Sequence, residues 1–283
     1  MVRGELLVGA PARPGSEVHI VAKEQPVSAD VPQSPDQPTP AAFDALYRGD
    51  FNTFRRDAQP SGTTQYTEFE FDRVPWDIGE AQPVVRNLEA DGQFTSEVLD
   101  IGSGPGENAN FLAERGYHVC GLDAAPAAID IARERARERG LDQSVDFDVA
   151  DATDLTGYAD RFTTVIDSAL YHCFPEDQRH GYVAAVHRAC RPHARMHVVC
   201  FSDQVPDEFP GPFRIGEDNL RGTLADAGWI VRRLERTTYT TAFTRADLMQ
   251  QPTSSLTAIV STLGFDSQDR LLAPAWLATA ERS

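Results

Sequence analysis

From Glu97 onward, apolar runs of strand length alternate with stretches of helical period. The pattern predicts strands at Val98–Ile101, His118–Leu122, Val145–Val149, Thr163–Asp167, Met196–Phe201, Trp229–Leu234 and Trp276–Ala280. Between the first of these, Asn108–Arg115 turns Phe111 and Leu112 to one side, and Pro126–Arg139 has proline in its first turn and Gly140 beyond its end, as helix start and stop signals require. This alternation predicts the α/β class: one doubly wound, seven-stranded sheet over residues 97–283, its first five strands parallel through right-handed crossovers. Upstream, Phe43, Leu46 and Tyr47 recur at helical spacing and a second short helix follows Trp76-Asp77-Ile78-Gly79, so residues 41–96 read as an N-terminal helical cap. Residues 1–40 carry seven prolines and no sustained periodicity, the composition of a disordered tail. Residues 248–270, rich in Ser, Thr and Gln, are consistent with either a loop or a helical insert.

Charge narrows the ligands. The 283 residues carry 26 Lys+Arg against 43 Asp+Glu, a formal charge of −17, which disfavours a phosphate backbone or an anionic lipid surface. No apolar run approaches the ~18 residues of a membrane helix and Leu6–Ala10 is too short for a signal-peptide core, so a cytoplasmic location is expected. Cys120, Cys173, Cys190 and Cys200 form no CxxC pair and sit in apolar surroundings, as reduced thiols do. His193 and His197 are spaced as helical ligands but fall on a strand pattern, and no metal site is expected. Arg133, Arg135, Arg137 and Arg139, interleaved with Glu134 and Glu138, read as a solvated helix face.

The chemistry concentrates in Val98-Leu99-Asp100-Ile101-Gly102-Ser103-Gly104-Pro105-Gly106-Glu107-Asn108, a strand entering a helix through a glycine turn that lets backbone approach a ligand. The spacing is GxGxG, not the dinucleotide GxGxxG, and Asp100 would repel a pyrophosphate but attract a cationic head. Asp123 ends the second strand 19 residues beyond Gly104, suited to two ribose hydroxyls. Asp151 follows the third, where its carboxylate can accept from an adenine amino group while the Ala152 amide meets a ring nitrogen. The fourth ends in Asp167-Ser168. In an open α/β sheet these carboxyl ends line one crevice.

The order DIGSGPG, GLDAAP, VADATDL and VIDSALYHCF, over roughly residues 41–283, resembles the class I S-adenosylmethionine-dependent methyltransferases. The resemblance implies a Rossmann-like seven-stranded sheet with the last strand antiparallel. It also implies a cofactor, S-adenosyl-L-methionine, leaving as S-adenosyl-L-homocysteine, held by Asp100, Gly102, Ser103, Gly104, Gly106 and Asn108. Asp123 and Ala124 would lie at the ribose, Asp151, Ala152 and Thr153 at the adenine, and Asp167 and Ser168 near the methionine part. Val74-Pro75-Trp76-Asp77-Ile78-Gly79 and Pro274-Ala275-Trp276-Leu277-Ala278-Thr279 are further similar to thiopurine-methyltransferase-like enzymes, among them actinobacterial enzymes acting on quinones and hydroxyquinolones. By that similarity Tyr47 and Trp76 form a lid. Arg191-Pro192-His193-Ala194 departs from the usual proline–glycine–glycine turn before the fifth strand.

Phe43, Tyr47, Phe51, Phe54 and Trp76, with Tyr171 and Phe174, suit a flat acceptor, and Asp167-Ser168-Ala169-Leu170 lacks the Pro-Pro-aromatic motif of nucleobase amine methylation. The expected partner is therefore a small aromatic or heteroaromatic compound such as a phenol, quinol or hydroxyquinolone, methylated on oxygen or ring nitrogen, and not a nucleic acid. His172 is the favoured general base by its ordinary pKa, with a structural histidine as the alternative and Tyr171 as a wall or donor. Cys173 reads as packing. A nicotinamide-dependent oxidoreductase and a non-catalytic cofactor-binding protein remain the rival readings.

Overall fold

The computed structural model describes residues 39–52, 72–206, 209, 212–251 and 260–283. The Pro-rich segment 1–38, Phe54 and most of the segment following α7 lie outside them. Strands β1 (Val98–Ile101), β2 (Val119–Asp123), β3 (Val145–Val149), β4 (Phe162–Ser168), β5 (Cys190–Phe201), β6 (Trp229–Thr244), β7 (Gly264–Phe265) and β8 (Arg270–Arg282) form one sheet. Its order is β3-β2-β1-β4-β5-β8-β6, with β7 paired on β8. The first five strands are parallel, and β8 runs antiparallel to both β5 and β6. The helices are α1 (Pro40–Tyr47), α2 (Pro83–Ala90), α3 (Glu107–Ala113), α4 (Pro126–Glu138), α5 (Glu176–Ala189), α6 (Glu217–Asp226) and α7 (Arg245–Met249).

Both faces of the sheet are covered. Val84, Val85 and Leu88 of α2, Leu112 of α3 and Ile129 and Ala132 of α4 pack one side with Val98 and Ile166. Tyr182, Val183 and Val186 of α5 and Leu220 and Leu224 of α6 pack the other with Leu99, Ile101 and Val165. Central β1 is accordingly buried at every position, whereas edge strand β3 hides Val145 and Phe147 and exposes Asp146 and Asp148. Because β1 to β4 are parallel and in register, their carboxyl ends reach one rim of the sheet.

Three elements exceed their sequence expectation. The Arg191-Pro192-His193-Ala194 segment is no turn. It continues straight from α5 into β5, His193 sitting at φ 66 where the pairing with β4 shifts register. Strands β6 and β8 run well past their apolar centres as one long antiparallel pair, carried by threonines such as Thr237 and Thr238 that favour extended backbone without apolar alternation. The two-residue strand β7 was not foreseen.

Helix α1 is docked by capping. The first turn of α4 has no side-chain cap of its own, and the Ala127 N–H donates instead to Asp44 Oδ1 of α1 at 2.7 Å. Leu46 and Ala42 are buried beneath Phe43, Phe51, Val74 and Trp76.

Candidate active site

The glycine turn folds against the second strand: the Gly102 and Ser103 amides both donate to Leu122 O, at 2.7 and 2.9 Å. Gly106, at φ 82, starts α3 with the Phe147 ring so close that a β-carbon would meet it at 2.6 Å. Gly104, at φ 51, would drive a β-carbon to 2.9 Å from the Tyr47 hydroxyl. Any larger residue at either position would displace an aromatic wall.

The four strand-end aspartates differ in what they hold. Asp100 is buried, and no protein group makes a well-aligned hydrogen bond to either carboxylate oxygen, the Ala109 amide approaching only loosely. Burial above all pushes its pKa to about 7, the Ala109 amide pulling the other way and the charges of Asp123 and Asp167 adding to the rise. Asp123 accepts from Gly104 N at 2.9 Å and Ala125 N at 2.8 Å, and burial still raises its pKa. Asp151 is exposed at the end of β3, its Oδ1 accepting from the Thr153 amide and hydroxyl at 2.8 and 2.7 Å, with Ala152 buried behind it. Asp167 takes the Leu170 amide, the Tyr171 amide and the Tyr182 hydroxyl, the last at 2.7 Å. With its donors all from the protein, Asp167 braces the β4 exit, a different task from the cofactor contact expected of it.

Over the turn lies an aromatic lid. Trp76 Nε1 donates to Tyr47 Oη at 2.6 Å, the Phe43 and Tyr47 rings meet Trp76 edge-on at 5.7 and 6.1 Å, and Phe51 packs alongside in the same cluster. The Tyr47 phenol is held well above its ordinary pKa, by burial first and by the Asp123 charge next. An ion-pair chain fastens the lid: Arg135 makes two hydrogen bonds to Asp77 at 3.0 and 2.7 Å and one to Glu107 at 3.0 Å, and Arg139 joins Glu107 at 2.7 Å. The arginine stretch of α4 is thus only partly a solvated face. Arg137 pairs locally with Glu134, while Arg135 and Arg139 tie three elements together. Beneath the lid a cleft is lined by Trp76, Asp77, Gln82, the turn from Gly102 to Pro105, Asn108, Ser168 and Tyr239.

The comparisons with known proteins agree with this geometry. The family model described as "Methyltransferase domain" matches residues 98–193. A 2-heptyl-1-hydroxyquinolin-4(1H)-one methyltransferase of Mycobacteroides abscessus is 45% identical over 150 residues, 53% of this chain and 66%, just under two thirds, of that relative. An uncharacterized methyltransferase of Schizosaccharomyces pombe is 30% identical over 117 residues, 41% of this chain and 79% of its own length. Among solved structures, one from work on conversion of a disulfide bond into a thioacetal group during echinomycin biosynthesis is 36% identical, with a TM-score of 0.65 over 87% of this chain and 93% of that one. The chain belongs to the class I S-adenosylmethionine-dependent methyltransferases. The nicotinamide reading falls with that assignment.

The site of this methyltransferase fits its cofactor. Buried polar atoms without a well-formed hydrogen bond gather at the glycine turn: both Asp100 oxygens and Ser103 Oγ. A ligand with a cationic amino-acid end and several donors is what such a set can satisfy. Asn108 is engaged otherwise, its Oδ1 accepting from Gln82 N at 2.9 Å. Ala124 follows Asp123 on the same rim.

Two expected residues face elsewhere. His172 is 3% exposed, its Nδ1 accepting from the Phe201 amide at 2.7 Å, with the ring 4.5 Å from that of Phe201. Burial first, then the Arg179 charge, push its pKa down to about 3. With its proton-accepting nitrogen taken by backbone and its basicity lowered by burial, the ring sits outside the cleft's lining and is not placed as the general base expected of it. Tyr171 is wholly buried between α5 and α6, its hydroxyl donating to Asn219 Oδ1 at 3.3 Å, so it is no wall of the cleft. His193 and His197 do not converge: the first is exposed near Glu281, the second is buried with Nδ1 at 3.0 Å from Thr279 Oγ1.

Residues that the sequence reading passed over complete the cleft. Gln82 clamps Thr240 through its side-chain amide, donating to Thr240 O at 2.9 Å and accepting from Thr240 N at 3.1 Å. The Ala242 amide donates to Pro75 O at 2.7 Å. These bonds draw the end of β6 over the cleft and bring Tyr239 beside Ser168.

Proposed function

We propose that this methyltransferase transfers a methyl group to an oxygen, or a ring nitrogen, of a small aromatic or heteroaromatic acceptor by in-line displacement. The observation that carries the reading is the aromatic lid of Phe43, Tyr47 and Trp76 closed on the glycine turn, since a cluster of aromatic rings packed edge-on favours a flat apolar compound and excludes water from the reacting atoms. Similarity to a relative whose name specifies a hydroxyquinolone acceptor supports it.

S-adenosylmethionine, when bound, supplies a sulfonium-activated methyl carbon. The chain's part is positioning. Asp123 has lone pairs left for two hydroxyls, Asp151 and the Ala152 amide offer an acceptor and a donor at the third strand end, and Asp100 with Ser103 offers a carboxylate and a hydroxyl to a charged amino group. Tyr47 and Trp76 close the top. An acidic N-hydroxyl such as that of a 1-hydroxyquinolone can enter ionised and needs no histidine base, whereas a phenol near its ordinary pKa of about 10 has to release its proton on binding.

Incubating the protein with S-adenosylmethionine and a panel of 1-hydroxyquinolin-4-ones, quinols and phenols, with mass spectrometry of the products, is expected to give singly methylated compounds. An absence of methyl transfer across that panel would overturn the reading.

A further inference from the structure

Resting on that acceptor class, we propose that Tyr239 contacts the acceptor, its phenol donating a hydrogen bond to the oxygen that takes the methyl group and, with Ser168, selecting acceptors that carry an ionisable hydroxyl. Among the described polar residues lining the cleft, most are already spent. Trp76 donates to Tyr47, both functional ends of the Gln82 side chain are taken by the Thr240 backbone, and Asn108 Oδ1 holds the Gln82 amide. Asp77 and Glu107 are paired with Arg135, and Glu80 with Arg86 and Arg270. Ser103 belongs to the glycine turn. What remains is the Ser168–Tyr239 pair: the buried Ser168 hydroxyl makes no well-aligned hydrogen bond to the protein and interacts only with the neighbouring Tyr239 phenol.

Their position in the fold gives the pair its role. The ends of β2 and β3 carry Asp123 and Asp151, so the cofactor's nucleoside end belongs on that side of β1 and its reacting end toward β4, which Ser168 terminates. An acceptor therefore enters from the side that the curled end of β6 covers, and Tyr239 is the side chain which that segment contributes to the cleft. The ring is fixed, 5% exposed and edge-on to Phe201 at 6.1 Å. Burial raises the phenol's pKa, with Cys173, Asp100 and Asp77 adding to the rise and Ser168 opposing it, so it stays protonated and keeps a proton to donate. In the step served, an acceptor oxygen that has already released its proton to solvent attacks the methyl carbon, the new O–C bond forms as the C–S bond breaks, and the electron pair of that bond stays on sulfur as a neutral thioether. A phenol donor lowers the pKa of the bound hydroxyl by favouring its anion.

The test compares wild type with Tyr239→Phe and Ser168→Ala, using a 2-alkyl-1-hydroxyquinolin-4-one as acceptor. Tyr239→Phe keeps the ring packing and loses only the hydroxyl. S-adenosylhomocysteine affinity by calorimetry is expected to stay within about twofold of wild type, kcat/KM to fall about tenfold to a hundredfold, and the acid limb of the kcat–pH profile to move to higher pH. Ser168→Ala should fall in the same direction by less. Thermal melting separates misfolding from lost contact. Should Tyr239→Phe match wild type in kcat/KM and in the position of that limb, this inference is wrong while the acceptor class stands. Should wild type loaded with S-adenosylhomocysteine neither bind nor, with S-adenosylmethionine, methylate any acceptor of the panel, the acceptor class and this inference fall together.

Discussion

An aspartate with both oxygens buried and without a well-aligned hydrogen bond destabilises the ligand-free fold, and Asp100 is in that state. Replacing it with asparagine removes the charge and keeps the shape. Asp100→Asn is therefore expected to melt at a higher temperature than wild type near pH 7.5 and to bind S-adenosylhomocysteine about tenfold to a hundredfold more weakly, the range of one charge-assisted hydrogen bond. Calorimetry and thermal melts read both, and an unchanged affinity would show that Asp100 does not face the cofactor. His172 gives the opposite expectation. His172→Ala strands the buried Phe201 amide, at a cost of about 1–3 kcal/mol, whereas His172→Asn can still offer an acceptor. The alanine variant should melt several degrees lower, the asparagine variant less so, and both should retain the shape of the kcat–pH profile while folded. A lost limb near neutrality in either would restore the histidine to the chemistry. At this scale the sequence was legible where position follows from local spacing: Asp100, the glycines and Asp123 do sit together at one rim of the sheet. It was silent on where a ring points, which is why His172 and Tyr171 were placed in the cleft and Tyr239 was not.

Elements show the same division. Strands β1 and β3 were found to the residue, β1 as a fully buried run ending at the glycine turn and β3 as an edge strand alternating buried Val145 and Phe147 with exposed Asp146 and Asp148. The long ends of β5, β6 and β8 were missed because a half-exposed antiparallel ribbon needs no apolar alternation, and β6 defends its free edge with Arg232, Arg233, Glu235 and Arg236. That missed half of β6 is what reaches the cleft. The lid, too, depends on partners far apart in sequence: Asp77 precedes β1, Glu107 opens α3 and Arg135 lies on α4. Half-buried and doubly hydrogen-bonded to Asp77, Arg135 is worth more than a surface pair, about 1–2 kcal/mol. Arg135→Met is expected to raise the dissociation rate of S-adenosylhomocysteine about fivefold to thirtyfold in stopped-flow measurements, with little change in the melting temperature of the ligand-free protein. A rate equal to that of wild type would mean that the ion-pair chain does not hold the lid.

For the whole molecule, the carboxylates fall into two sets whose pH responses oppose each other. Asp44, Glu80 and Asp266 have lowered pKa values: burial opposes the fall, but hydrogen bonds to Arg48, to Arg86 and Arg270, and to Arg270 outweigh it. Their stabilisation is present above the unfolded values near 4 and is lost only as pH falls below that. Asp100 and Asp167 are raised from 3.8 to about 7, by burial first. Between those values the folded chain holds protons that the unfolded chain has released, so the slope of unfolding free energy with pH is negative and stability declines as pH rises from about 4 to about 7, levelling above. The formal charge of −17 pulls the same way through self-repulsion. A cationic amino group bound at Asp100 favours its ionised form and reverses the local sign, because binding then releases the proton instead of competing with it. Melting curves from pH 5 to pH 8 are thus expected to show the ligand-free protein most stable near pH 5, and the gain on adding S-adenosylhomocysteine growing toward pH 8. Asp100→Asn, which removes one charge of many, should flatten the ligand-free slope and abolish most of the growth in that gain. A slope that Asp100→Asn leaves intact would assign the effect to Asp167 and to overall charge, and a ligand gain independent of pH would remove the carboxylate from the cofactor site.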